Sequence, residues 1–101
     1  MIYQLLVPGP VEDVEEVRIL EWHGAIGKAF APGDLVVELE THKAIVEVRA
    51  GRASILRAIL CPEGDWQQIG APLAVFSEAP GEPVPDDAGD LAALAVTFEI
   101  I

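Results

Sequence analysis

The residue whose type and position most favour covalent chemistry in this sequence is a lysine. The chain has only two lysines, Lys28 and Lys43. Lys43 stands between residues 35–40 and 44–48, which alternate apolar and polar side chains and predict two strands joined by a tight turn. The amine of such a turn is accessible on a rigid support, which suits covalent modification by another enzyme. The alternative is an ordinary exposed turn lysine, because lysine is mostly a solvated residue.

The elements that must hold this lysine are short strands. Over residues 1–79, apolar runs of about five residues alternate with turns marked by Gly and Pro. Strands of this length with a turn signal about every 8–12 residues are typical of a small sandwich or barrel. We therefore predict an all-β fold with six or more strands.

A weak internal repeat gives this fold a symmetry. A shift of 37 positions aligns Ile19 with Leu56, Trp22 with Ile59, Gly27 with Gly64, Gly33 with Gly70 and Val36 with Leu73. The glycines carry the argument, because each precedes a strand at a tight turn where a residue without Cβ is useful. Two similar halves predict a pseudo-two-fold axis.

The charge balance restricts the partners. Seventeen acidic residues against six Lys and Arg give a formal net charge of −11. Phosphates and anionic lipids do not attract such a surface, so nucleic acid and membrane are not expected partners. The one cysteine, Cys61, excludes an internal disulfide and favours a reducing compartment. The sequence shows no export signal and no long apolar run, so we expect a cytoplasmic protein.

The composition changes after residue 79 and defines three segments. Residues 1–79 are expected to form one domain. Residues 80–90 are rich in Pro, Gly and acidic residues and indicate a semi-extended linker. Residues 91–101 are apolar and predict an extra strand, or a short helix over residues 91–95 capped by Asp90 that runs into one. We expect this end to pack on its own domain, on a second copy or on a larger partner.

Other candidate chemistry is sparse. His23, His42 and Cys61 do not fall at metal-ligand spacing, so no metal site is predicted. No catalytic arrangement is recognisable, and we expect a chain that is not itself an enzyme. Trp22 and Trp66 lie at similar places in the two halves and are predicted to anchor the core.

The most specific motif is Glu-Thr-His-Lys-Ala-Ile-Val-Glu-Val at residues 40–48. Pro-Gly-Asp-Leu at residues 32–35 precedes it, while Glu-Gly-Asp at 63–65 and Gly-Ala-Pro-Leu-Ala-Val at 70–75 follow it. On these segments, residues 1–79 resemble the lipoyl domains of 2-oxo acid dehydrogenase complexes, as carried by their dihydrolipoyl acyltransferase components. The core motif of that family is Glu-Thr-Asp-Lys-Ala.

The resemblance implies a fold and a site. The fold would be a flattened barrel or sandwich of two four-stranded antiparallel sheets, with the lysine at a hairpin tip. Lys43 would carry lipoate in amide linkage. The flanking residues implied in its recognition are Glu40, Thr41, His42, Ala44 and Gly33. His42 departs from the family's aspartate, which contributes there to recognition by the cognate decarboxylase.

The resemblance also implies a function, a swinging-arm carrier of acyl groups and electrons. Its partners would be a lipoate ligase or lipoyl transferase, and the thiamin-dependent decarboxylase, acyltransferase and flavoprotein dehydrogenase of a complex. Two alternatives remain open. One is a biotin carboxyl carrier, although the related biotinyl domains display Met-Lys-Met and the only methionine here is Met1. The other is an unmodified binding or assembly module that self-associates through residues 91–101.

Overall fold

The computed structural model describes residues 1–85 and 91–101, and ten strands account for the regular structure of this part of the chain. In chain order the strands are β1 (Ile2–Leu6), β2 (Glu16–Trp22), β3 (Ala29–Phe30), β4 (Leu35–Glu40), β5 (Ile45–Ala50), β6 (Ser54–Ile59), β7 (Trp66–Gln68), β8 (Pro72–Ser77), β9 (Ala92–Ala93) and β10 (Val96–Ile100). No helix long and apolar enough to cross a membrane occurs in these two ranges.

The strands form two five-stranded sheets. One has the order β3-β6-β8-β1-β9 and the other the order β10-β5-β4-β2-β7. All pairings are antiparallel except that of β1 with β9. The all-β prediction is confirmed, and the architecture is a sandwich rather than a closed barrel. The expectation of four strands in each sheet is wrong, because β9 and β10 each add one edge strand.

The core lies between the two sheets and is built from alternating side chains. In β5, Val46, Val48 and Ala50 are buried, while the residues between them are partly exposed. Strand β4 departs from strict alternation because its register shifts between Leu35 and Val37. Such a bulge lets Val36 and Val37 both be buried.

The pseudo-two-fold axis predicted from the repeat is present in the backbone hydrogen bonds. The Ile19 N–H donates to the carbonyl oxygen of Asp65 at 2.9 Å, and the equivalent Leu56 N–H donates to that of Lys28 at 3.0 Å. Each half therefore supplies a backbone carbonyl that accepts a strand N–H of the other half. Within residues 1–85 and 91–101, the glycines with positive φ are the two pairs that the repeat aligned, Gly27 with Gly64 and Gly33 with Gly70, all between 87° and 99°. This region of φ is costly for a residue with a Cβ, which explains why the repeat retains them.

Residues 91–101 pack on both sheets of the same chain. Strand β9 pairs with β1, and β10 pairs with β5 from Val96↔Ala50 to Ile100↔Val46. Leu94 joins the two strands and is buried in the core. The predicted extra strand is thus present, whereas the alternative of a helix over residues 91–95 is wrong because β9 occupies that stretch. Of the predicted linker, residues 86–90, including the proposed Asp90 cap, lie outside the described residues.

Candidate functional site

The β4–β5 turn is a four-residue connection whose geometry is set by Thr41. Strand β4 ends at Glu40 and β5 begins at Ile45. The buried Thr41 Oγ1 accepts hydrogen bonds from the backbone N–H groups of Lys43 at 3.1 Å and Ala44 at 2.9 Å. The Thr41 N–H donates to the Ala44 carbonyl oxygen at 2.8 Å. The Thr41 hydroxyl thus accepts hydrogen bonds from turn N–H groups that would otherwise need a backbone carbonyl as acceptor. Threonine often plays this local role in turns.

Lys43 stands at the tip of this turn with its side chain 54% exposed. Its Nζ donates a hydrogen bond to Oδ2 of Asp13 at 3.1 Å, and the Asp13 side chain is 68% exposed. Asp13 lies in the loop between β1 and β2 and has a φ of 61°, a left-handed conformation that aspartate tolerates better than most residues. The amine is therefore reachable from solvent and held by one exposed ion pair.

An apolar groove of about 310 Å³ begins beside the amine. Besides Lys43 and its neighbours in the turn, it is lined by side chains of the β1–β2 loop, of β5 and of β10, among them Val11, Val14, Val46 and Ile100. The hairpin tip thus lies against the β1–β2 loop on one side and the C-terminal strand on the other. The sequence signal for this arrangement was weak, because the three segments are far apart in the chain.

The predicted flanking residues fall into two places. Glu40, Thr41, His42 and Ala44 surround Lys43 at the tip. Oε1 of Glu40 forms an ion pair with Arg18 Nη1, on the neighbouring strand β2, at 3.5 Å. Gly33 is not among them.

Gly33 lies before β4, at the opposite end of the hairpin. Six strand residues separate it from the turn, which corresponds to about 20 Å. Its N–H donates to the Ala50 carbonyl oxygen at 2.7 Å and its φ is 91°. Gly33 therefore shapes the entry into the hairpin and does not contact Lys43.

Two groups that carry possible chemistry lie away from the tip. The Cys61 side chain is buried in the core, and burial raises the pKa of its thiol, with a smaller contribution from the charge of Asp65. His23 Nε2 lies 2.6 Å from Oε1 of Glu38 and its Nδ1 lies 4.0 Å from Oε2 of Glu21. Only the His23–Glu38 contact is a hydrogen bond, and the ligand atoms of the three side chains lie within 4.8 Å of one another, a spacing at which such groups could hold a metal ion. Sequence spacing did not reveal the group, because a register shift in β2 brings Glu21 opposite Glu38.

The prediction that both tryptophans anchor the core is half wrong. Trp22 packs against the core and its Nε1–H donates to the Cys61 carbonyl oxygen at 3.0 Å. Trp66 is 54% exposed on the edge strand β7. It lines a groove together with His42, the residue next to Lys43.

Comparisons with known proteins identify the family of the chain. A family model described as "Biotin-requiring enzyme", for biotin and lipoyl attachment, matches residues 3–76. The dihydrolipoyllysine-residue succinyltransferase component of the 2-oxoglutarate dehydrogenase complex of Staphylococcus saprophyticus is 37% identical over 78 residues, which cover 77% of this chain and 18% of that protein. The same component of Bacillus subtilis is 33% identical over 79 residues, covering 78% of this chain and 19% of that protein.

A relative from a second complex matches a similar region. The dihydrolipoyllysine-residue acetyltransferase component of the pyruvate dehydrogenase complex of Zymomonas mobilis is 35% identical over 85 residues, covering 83% of this chain and 19% of that protein. This chain spans about a fifth of the length of these relatives. By the extent of the family match, the chain belongs to the family of biotin- and lipoyl-attachment domains.

Proposed function

We propose that this protein is a lipoyl carrier that presents lipoate on Lys43 to the enzymes of a 2-oxo acid dehydrogenase complex. The observation that carries the proposal is the exposed Lys43 amine at the tip of a hairpin that Thr41 holds in place. The names of the relatives, which are dihydrolipoyllysine-residue acyltransferase components, favour lipoate over biotin.

The residues at the tip fit an amide-linked group. Attachment by the ligase joins the Lys43 Nζ to the carboxyl carbon of lipoate, one carboxyl oxygen and two ammonium protons leaving overall as water, and it removes the positive charge of the amine. Among the described residues, the ion pair to Asp13 is the interaction of the ammonium that is then lost, and since both side chains are mostly exposed its contribution to stability is small. The hydrogen bonds of Thr41 involve backbone groups and Oγ1 only, so modification leaves them in place.

The chain's own contribution is presentation rather than catalysis. Attached lipoate supplies a dithiolane that accepts acyl groups and electrons, and the reacting enzymes are a thiamin-dependent decarboxylase, an acyltransferase and a flavoprotein dehydrogenase. The hairpin holds the attachment point at one end of the sandwich. Tethering such an arm to a complex raises its effective concentration at each active site.

Biotin is the second candidate cofactor, because the matched family includes biotin attachment. The sequence around Lys43 disfavours it, since neither Lys43 neighbour is a methionine and Met1 is the only methionine. An unmodified binding module is the third candidate. Both alternatives predict a mass that differs from that of the lipoylated protein.

The test is co-expression with a lipoate ligase, with lipoate in the medium, followed by intact mass spectrometry. We expect the wild type to gain one lipoyl mass, Lys28→Arg to gain the same mass, and Lys43→Arg to gain none. Lys28→Arg is the matched control because it changes the only other lysine. A parallel expression with a biotin ligase should leave the mass unchanged. A wild type that takes up biotin, or that stays unmodified with both ligases, would refute the proposal.

A further inference from the structure

The C-terminal strand β10 brings an apolar side chain to the base of the hairpin turn. It pairs with β5 up to Ile100↔Val46, and the Ile101 N–H donates to the carbonyl oxygen of Ile45, the first residue of β5, at 2.8 Å. The family model matches residues 3–76, and β10 lies outside that range. The strand is therefore an addition to the matched part of the chain, placed beside the candidate attachment site.

This strand forms one wall of the groove of about 310 Å³ that begins at the Lys43 amine. We call it the β10 groove and define it by its aliphatic side chains, Val11, Val14, Val46 and Ile100. Ile100 is 56% exposed and its strand partner Val46 is buried, so the groove leads from the surface toward the core. Sites for small molecules have volumes of about 300–1,000 Å³. The β10 groove thus has room for one short aliphatic chain.

The position of Lys43 and the charges around it favour one occupant. Lys43 is part of the lining, so a group attached to its Nζ starts at the groove. The ammonium itself is held by Asp13 at 3.1 Å, and a charged group is costly among aliphatic side chains. The carboxylates of Glu12 and Asp13, which also line the groove, repel a free carboxylic acid. A neutral aliphatic chain joined to Nζ by an amide meets neither obstacle.

We propose that the β10 groove holds the aliphatic part of the arm on Lys43 when no enzyme engages it, and that Ile100 of the added strand determines how firmly. Its four aliphatic side chains remove apolar surface of the arm from water, which is favourable in proportion to the area covered. Amide formation permits this docking, because it releases Lys43 from Asp13 and removes the charge. The identity of the arm as a lipoyl group rests on the proposed function, whereas the preference of the groove for a neutral aliphatic chain does not.

The first test uses the lipoylated full chain with ¹³C-labelled methyl groups. We expect nuclear Overhauser contacts between the protons of the arm and the methyl groups of the β10 groove, and shifts of these methyl signals relative to the unmodified protein. Ile100→Thr keeps the β-branched shape but makes the wall polar. It should reduce the shifts that lipoylation causes at Val14 and Val46 to less than about half.

Ile101→Thr is the matched control for this variant. It makes the same substitution at the next residue, which is also exposed but does not line the groove. Neighbouring residues of an extended chain point to opposite faces, so this change leaves the wall intact. We expect the shifts at Val14 and Val46 to equal those of the lipoylated wild type.

The second test needs no ligase. In Lys43→Cys, the introduced thiolate displaces methanesulfinate from octyl methanethiosulfonate and forms an octyl disulfide, while the methyl reagent gives the same linkage with one carbon. Intact mass checks that a single group is added, as expected because Cys61 is buried. We expect the octyl protein to show shifts at the methyl groups of Val14, Val46 and Ile100 and a higher midpoint of thermal unfolding than the methyl protein.

Four results would overturn the docking of the arm: a lipoylated chain without contacts to the groove, equal effects of Ile100→Thr and Ile101→Thr, equal spectra of the octyl and methyl proteins, or groove signals of the unmodified protein that change with its concentration. The last result would mean that a second copy fills the groove. A chain that is never lipoylated but whose octyl derivative docks as described would refute the proposed function alone. A lipoylated chain whose arm makes no contact with the groove would refute the docking alone.

Discussion

Asp13 and Lys43 are thirty residues apart in the chain and form an ion pair of 3.1 Å between Oδ2 and Nζ. This contact joins the β1–β2 loop to the tip of the β4–β5 hairpin. Both side chains are more than half exposed, so the pair orients the amine and contributes little to the free energy of unfolding. The proposed attachment site is thus part of the surface, and the hairpin beneath it is part of the core.

The first prediction concerns Thr41, which holds the turn. Thr41→Val keeps the β-branched shape but removes the oxygen that accepts from the Lys43 and Ala44 N–H groups. We expect the free energy of unfolding to fall by about 1–2 kcal/mol. Thr41→Ser, which keeps the hydroxyl, should lose less than half of that. Urea unfolding followed by circular dichroism measures both, and equal losses for the two variants would show that the hydroxyl does not hold the turn.

The second prediction concerns Gly33, whose φ of 91° disfavours any side chain. Space is not the obstacle, because a Cβ built there meets no atom within 4 Å. We expect Gly33→Ala to cost about 1–2 kcal/mol of stability from backbone strain alone. Gly81 is the matched control, since it is equally open and has no positive φ. Thermal unfolding should show Gly81→Ala within about 0.5 kcal/mol of the wild type; a neutral Gly33→Ala would contradict the strain argument.

The third prediction tests whether the C-terminal strands are integral to the sandwich. Leu94 is 4% exposed in the core between β9 and β10. Leu94→Ala should lower the free energy of unfolding by about 2–3 kcal/mol. Ile101→Ala, at a side chain that is 67% exposed, should change it by less than about 0.5 kcal/mol. Size-exclusion chromatography of the same variants also tests the predicted self-association through residues 91–101. A monomeric size at all concentrations would exclude this self-association.

The fourth prediction concerns the thiol of Cys61. Burial raises its pKa, so less of the reactive thiolate is present at a given pH than in the unfolded chain. The native protein should therefore react with a thiol reagent at pH 8 more slowly than the urea-unfolded protein, and its rate should begin to rise only at higher pH. Asp65→Asn, which removes a nearby negative charge, should shift that rise toward lower pH. Equal rates in the folded and unfolded states would show that Cys61 is accessible.

Much of the fold could be predicted from local patterns. The alternation of apolar and polar side chains predicted the β4–β5 hairpin. The glycines of the repeat predicted the turns related by the pseudo-two-fold axis, because a positive φ at a tight turn favours glycine. The sheet positions of the C-terminal strands could not be predicted in the same way. The apolar pattern of residues 91–101 predicted a strand, but not that this segment divides into β9 and β10 or that these pair with the edges at β1 and β5, because that pairing is tertiary.

The centre of the candidate site could be predicted from the sequence, and the residues around it could not. Lys43 and its neighbours in sequence lie together because a turn is local. Asp13 reaches Lys43 through a loop whose course no periodicity describes, and Gly33 was included although a six-residue strand separates it from the turn. Trp66 was assigned to the core because its hydrophobicity is visible in the sequence, whereas its place on an edge strand is not.

Whether Lys43 carries lipoate is tested most directly by the mass of the protein purified from its own cell, with fragmentation to locate any modification. We expect one lipoyl group per chain, on Lys43, and none on Lys28. A biotinyl group on Lys43, a lipoyl group on Lys28, or an unmodified chain from cells supplied with lipoate would contradict this expectation.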